Sequence, residues 1–293
     1  MQDRSAPRWC GRYQCAITLS VDFDAESLWS GTFGLTTPSP MSRGDYDIRA
    51  GLPRILELFD RHAMPATFMV PAQVVDEHPD ACREIAARGL HEVGYHGYYH
   101  ESVLELEIDE ERELMKRGIA RLEDCFEQTP RGNRSPPFAL GPHTAELLEE
   151  LGFRYDSSLF GHDEPYRPRV PSVGGPLRDF VELPVSWELD DAPYFLFNFF
   201  PYMCGMATPS QVLEIWKAEF EGSYRAGGCF LLVVHPFCIG RHPRIRMLDE
   251  LIQYIKGFPD VWFAHHLDVA DEWRSARERA HGWEISGQRA SAD

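Results

Sequence analysis

The sequence predicts an α/β fold, a (β/α) barrel on parallel strands, from three observations. Short apolar runs alternate with longer segments of helical period, a rhythm that implies parallel strands joined by right-handed crossovers. Four of those runs end directly in Asp, His, Arg or His, and strand ends are where such barrels deliver functional side chains. The chain has 293 residues without a repeat, low-complexity tract or dividing linker, which favours one domain, residues 1–293 with a core over about 15–270.

In order, Cys15–Phe23 (CAITLSVDF) reads as a buried strand and Ile48–His62 as an amphipathic helix. Ala66–Val70 is strand-like, Asp76–Arg88 helical, and His91–Tyr95 a strand again. Asp109–Phe126 forms a long charged helix, and short strands near Gly132 and Phe153 bracket a helix starting about Pro142. Strand Phe180–Pro184, helix Ser210–Arg225, strand Cys229–Val234, helix Ile245–Lys256 and strand Val261–Ala264 complete the series. Ser30–Asp47 and Phe160–Leu177, rich in Gly, Pro and Ser, are expected to be long surface loops shaping the mouth of the barrel.

Composition narrows the function. With 43% hydrophobic and 26% charged residues the chain is neither disordered nor fibrous. The 29 basic residues against 46 acidic ones leave a formal charge of −17, which disfavours nucleic acid, anionic membrane and polyanionic substrates. Met1–Arg12 lacks an apolar run of signal-peptide length, and no window reaches the roughly 18 apolar residues of a membrane span. Seven scattered cysteines without a C-x-x-C pair fit reduced core thiols. The expectation is a cytoplasmic protein acting on a small molecule.

The chemistry sits at the strand ends. Asp24, His96 and His100 form a one-carboxylate, two-histidine set, and histidines at i and i+4 share a face if they lie on a helical turn. Three protein ligands leave a position open for water, which suits catalytic zinc or a similar divalent ion. Gly97 stands where H-E-x-x-H would carry its glutamate, so a metalloprotease helix is not expected. Asp22 lies two residues before Asp24 and faces the same way in an extended strand, so one can bind metal while the other acts as general base. A helix cap or a buried ion pair is the alternative for Asp22. Arg134 can hold Asp22 ionised, or lie on the surface before two prolines. His235 can protonate a leaving nitrogen, or merely satisfy a carbonyl.

In this order the motifs resemble the polysaccharide-deacetylase (NodB-homology) superfamily. Its T-F-D-D-G motif is similar to Ser20-Val21-Asp22-Phe23-Asp24-Ala25, and its H-(S/T)-x-x-H to His96-Gly97-Tyr98-Tyr99-His100. Arg134-Ser135-Pro136-Pro137 resembles the Arg-Pro motif and Leu232-Val233-Val234-His235 the terminal histidine motif. The resemblance implies a distorted (β/α) barrel with fewer than eight regular units. It further implies Asp22 as base, Asp24, His96 and His100 as ligands of one divalent metal, Zn²⁺ first with Co²⁺ or Mn²⁺ as alternatives, and His235 as acid. Glu182–Asp191 resembles a fourth motif in which an Asp orients the acid histidine and a Trp lines the pocket, leaving Asp190 and Asp191 both as candidates beside Trp187. A homo-oligomer, a tetramer first, is also implied.

Phe23 between the two aspartates and Gly97 after the first histidine look like the intracellular branch of that superfamily, which contains cyclic imide hydrolases, metal-free allantoinases and a peptidoglycan-deacetylase-like protein. Retention of all three ligand residues speaks against the metal-free type. Phe138, Trp187 and the run Tyr194–Tyr202 can wall off a small aromatic pocket, or form core or a subunit contact, the run being too rich in rings to stand in solvent. Ring-opening hydrolysis of cyclic imides is therefore the first expectation. N-deacetylation of amino sugars or peptidoglycan is the second, and a metal-lacking ligand-binding or allantoinase-like barrel the third.

Overall fold

Strand β1 (Cys15–Asp22) is buried at all eight positions, which explains its unbroken apolar and β-branched character: it has no solvent face to alternate with. The computed structural model describes residues 9–170 and 175–289. Most of Met1–Arg12 lies outside the described residues, as does part of the 160–177 segment.

Three strands pair with β1, all parallel. β9 (Cys229–Val234) runs along one edge from Ala16↔Cys229 to Val21↔Val234. The other edge is shared, first by β10 (Val261–Phe263) against Cys15–Ile17 and then by β2 (Thr67–Val70) against Ser20–Asp22. From β2 the sheet continues through β3 (Glu92–Tyr95), β4 (Gly132–Asn133), β5 (Tyr155–Asp156) and β6 (Val181–Glu182). After β6 the chain returns to β9 through a parallel bridge, Asp190↔Val233, so the sheet curls into a distorted barrel with all strand C-termini at one mouth. No helix among the described residues is long and apolar enough to cross a membrane.

The helices cover the outside: α2 (Leu52–His62), α5 (Ile108–Phe126), α6 (Thr144–Glu150), α8 (Pro209–Ala226), α10 (His242–Lys256) and α11 (His266–Arg289). A Glu107–Glu110 capping box starts α5 and a Thr208–Gln211 box starts α8.

Three expectations are corrected. The helix expected over Asp76–Arg88 is two helices, α3 (Ala72–Glu77) and α4 (Pro79–Ala86), because Pro79 drives His78 out of helical geometry (φ −130°, ψ 52°). Phe180–Pro184 pairs only at Val181–Glu182, since Pro184 has no N–H to extend the ladder. Ser30–Asp47 is largely helical: a π-turn at Leu28–Thr32, then α1 (Pro38–Tyr46) and a second π-turn, Asp47–Gly51, leading into α2. Gly44 lets α1 lie directly on the Ala25–Glu26 backbone, where a Cβ would clash, and buried Asp47 accepts the Ala25 N–H at 3.1 Å.

The aromatic run divides between core and surface of the single chain. It forms α7 (Ala192–Phe195) and a hairpin of β7 (Phe197–Asn198) with β8 (Met203–Cys204). Phe195 and Leu196 are buried, but Phe199, Phe200 and Tyr202 at the hairpin tip are 68%, 82% and 71% exposed in the single chain.

Candidate active site and its relatives

Asp22 closes β1, and Arg134, one residue past β4, reaches across the mouth to it: Arg134 Nη1 donates to Asp22 Oδ1 at 2.5 Å and to Ser20 Oγ at 2.8 Å. The same guanidinium donates through Nε to the Ser157 carbonyl (3.0 Å) and through Nη2 to Ser157 Oγ (2.9 Å). Arg134 is fully buried, so the alternative of a surface arginine is gone. Burial alone would raise the Asp22 carboxyl, but the Arg134 guanidinium, with His96 and His235, brings it below the usual carboxylate range.

His96 and His100 do not sit on a helical turn. Gly97 (φ +74°) and His100 (φ +58°) take left-handed backbone, and a tight loop turns both imidazoles inward with ring centroids 4.8 Å apart. This corrects the shared-helix-face expectation while leaving the convergence intact. Gly31 supports the loop from below, where a Cβ would collide with the Tyr99 carbonyl oxygen. His96 Nδ1 donates to the Arg134 carbonyl at 2.7 Å. Thr32 Oγ1 donates to the His100 carbonyl (2.8 Å) and stands 2.5 Å from His100 Nδ1, whose proton it accepts. Both Nε2 atoms are thereby left bare and face Asp24 Oδ1, each at 3.6 Å.

These contacts test whether a cation fits. The ligand atoms of Asp24, His96 and His100 lie within 4.8 Å of one another. Both Asp24 carboxylate oxygens are buried without a hydrogen-bond partner among the described residues. A buried carboxylate left so is costly unless something positive occupies the space. Burial pushes Asp24 up to about 7 and holds His96 down at about 4, and His100 is lowered as well, so both imidazoles are in the neutral, ligating form. An oxygen and two imidazole nitrogens suit zinc, cobalt or manganese chemistry.

His235 follows β9. Its Nδ1–H donates to Asp191 Oδ1 at 2.8 Å, and its backbone N–H meets both Asp191 oxygens at 3.1 Å. Asp190 Oδ1 is 3.7 Å from the same nitrogen and instead accepts the Ala192 N–H at 2.7 Å. Burial opposes charge on His235, but Asp190 and Asp191 outweigh it and raise the imidazole well above its ordinary value. His235 Nε2 points inward, 4.0 Å from Asp22 Oδ2 and from Asp24 Oδ2.

A cavity of about 330 Å³ opens over these groups, lined by Asp22, His96, His100, Asp190 and His235 together with Phe138, Trp187, Leu196, Met203 and Cys204. Phe138 packs edge-on to Trp187 (centroids 5.1 Å) and Phe160 (5.9 Å), and Trp187 remains 47% exposed. All ten residues singled out in the sequence thus gather at one mouth. Leu196 belongs to the aromatic run expected to wall the pocket, whereas Thr32, Ser157, Phe160, Met203 and Cys204 were missed, and nothing in their local sequence marks them.

A parallel barrel carrying this constellation defines a hydrolase of amide-type C–N bonds. The family model for polysaccharide deacetylase matches residues 43–155. The crystal structure of a Mycobacterium smegmatis protein assigned to the polysaccharide deacetylases is 37% identical and superposes with a TM-score of 0.83, covering 94% of this chain and 96% of that one. Peptidoglycan deacetylase of Helicobacter pylori is 29% identical over 90% of this chain and 97% of its own length. The crystal structure of Puue allantoinase is 26% identical with a TM-score of 0.77, covering 93% and 95% of the two chains. The chain belongs to the polysaccharide deacetylase family.

Proposed function

We propose that the protein is a metal-dependent N-deacetylase of an N-acetylated amino sugar. The observation that carries this reading is the convergence on one pocket of Asp22 held by Arg134, of Asp24, whose oxygens have no hydrogen-bond partner among the described residues, facing the bare Nε2 atoms of His96 and His100, and of His235 held by Asp191. The sugar as substrate rests on the relatives named deacetylases and on the half-exposed Trp187–Phe160–Phe138 cluster, whose faces suit a pyranose ring. Chitin-type oligomers are neutral, so the −17 charge that argued against acidic wall polymers does not oppose them.

Asp24, His96 and His100 would hold the cation. Once bound, a divalent ion there supplies Lewis acidity to the amide carbonyl and to the attacking water. Asp22, kept ionised and aimed by Arg134, takes the proton of that water. His235, charged and oriented by Asp191, gives its Nε2 proton to the departing nitrogen, so the amine leaves neutral and acetate is released.

A second reading is ring opening of a cyclic imide, favoured by the limited size of the cavity and its wall of Pro137, Phe138, Leu196 and Met203. One comparison separates the two: metal-loaded protein with N-acetylglucosamine oligomers, read as acetate release, against succinimide and phthalimide, read as loss of imide absorbance. Acetate release with intact imides supports the deacetylase. Imide opening without acetate release overturns it.

A further inference from the structure

Beyond Leu196, the one residue that lines both, a second cavity of about 280 Å³ adjoins the catalytic pocket. Its walls carry Arg43 of α1, Arg241 just before α10 and Arg244 within it, together with Phe195, Phe197 and Phe237. No acidic residue lines it, and none of the three guanidiniums has an ion-pair partner among the described residues, in a chain of formal charge −17. We propose that this cavity binds a small organic oxyanion, a carboxylate or phosphate head on an apolar body, at a site distinct from the catalytic one.

Each guanidinium is positioned by contacts that leave its charge uncompensated. Arg43 Nη2 donates to the Phe197 carbonyl at 2.9 Å, while its Nη1 is buried without a hydrogen-bond partner among the described residues. A buried guanidinium N–H left so is costly, and an acceptor entering the cavity satisfies it. Arg244 Nη1 donates to the Cys238 carbonyl at 3.1 Å, with the guanidinium carbon 4.3 Å from the Phe195 ring centroid. Asp191, which Arg244 influences at longer range, is already engaged by His235. Arg241 is exposed, and its guanidinium carbon lies 3.5 Å from the centre of the Tyr46 ring. Helix α10 starts between Arg241 and Arg244, so the positive end of its dipole adds to the same region. Guanidiniums take carboxylate and phosphate oxygens through paired N–H donors. Phe197, Phe237 and Met206 give the rest of such a ligand an apolar surface, and the volume suits a molecule the size of a substituted benzene, not a polymer.

The test is isothermal titration of the full-length protein with phenyl phosphate. The expected result is one site per chain, weakened by added salt, and weakened roughly 10-fold or more in Arg241→Met with Arg241→Lys in between. Arg241 is exposed and touches none of the catalytic groups, so its loss leaves the fold in place. Binding should persist in Asp24→Ala, which separates this cavity from phosphate held at the metal site. Phenol, with the same ring and no charge, should bind far more weakly. Absence of phenyl phosphate binding, equal binding of phenol, or loss in Asp24→Ala with Arg241→Met unaffected would each overturn the proposal. So would a changed oligomeric state of Arg241→Met without binding of the probe, which would assign the guanidiniums to a contact between copies. None of these outcomes touches the deacetylase reading, since acetate release uses none of the three arginines.

Discussion

Asp191 grips His235 at two points, accepting its ring Nδ1–H at 2.8 Å and its backbone N–H at 3.1 Å, with both residues buried. The ring contact sets the tautomer and favours the imidazolium, and the backbone contact fixes the residue from which the ring hangs. Asp191→Asn should lower kcat by roughly 100-fold or more while metal content stays at the wild-type level. Asp190→Asn, at 3.7 Å from the same ring, should cost markedly less. Steady-state kinetics with metal analysis of both variants checks this, and equal losses would refute the division.

Arg134 makes four hydrogen bonds to three residues, and removing it strands the buried carboxylate of Asp22. Arg134→Met should destabilise the fold by about 3–5 kcal/mol, because an uncompensated buried charge remains. Arg134→Lys should recover only part of this, since an ammonium cannot reproduce the fork that spans Ser20, Asp22 and Ser157. Urea denaturation is the measurement.

Asp24→Ala should lose metal and turnover together, whereas Asp22→Asn should keep metal and lose most turnover. The reason is geometric: the Asp24 carboxylate oxygens have no hydrogen-bond partner among the described residues, while Asp22 is already engaged by Arg134. Similar metal loss in the two variants would contradict the assignment.

Thr32→Val removes the acceptor that fixes the His100 tautomer. Metal affinity should fall roughly 10- to 100-fold with the fold unchanged, as expected when an outer hydrogen bond to a ligating imidazole is lost. Competition titration with a chromophoric chelator reads it.

His265 gives a pH-dependent contribution far from the site. Its Nδ1 meets Asp268 Oδ2 at 2.9 Å and its Nε2 meets the Leu90 carbonyl at 2.8 Å, so both ring nitrogens face acceptors and the imidazolium is favoured. Burial works against the charge, but these two contacts raise the histidine above its ordinary value of 6.5. The stabilisation is therefore complete below about 6.5 and is lost as pH rises through the higher folded value. Asp268→Asn should flatten that part of the stability–pH curve, measured by denaturation between about pH 5 and 9.

The strand-end residues were legible because a parallel barrel places its chemistry where apolar runs stop. Asp22 ends such a run, with Asp24 two residues on, and His96 and His235 follow one directly, while Arg134 follows the short strand Gly132–Asn133. The helical elements within 30–47 were not, since Gly44 is helical there only because α1 must lie on the Ala25–Glu26 backbone. Nor was the choice between Asp190 and Asp191: neighbours in sequence project differently only once the 190–233 bridge sets the backbone.

Local sequence by itself determined the parallel α/β rhythm, the two most apolar strands and the chemical identity of the groups at the mouth, because periodicity and residue type are short-range properties. Tertiary structure alone decided which carboxylate holds His235, that Thr32 and Ser157 support His100 and Arg134, and that the aromatic run turns out from the chain in a hairpin. Those contacts join residues 23, 44 and 68 positions apart, formed only when the curled sheet brings its strand ends together.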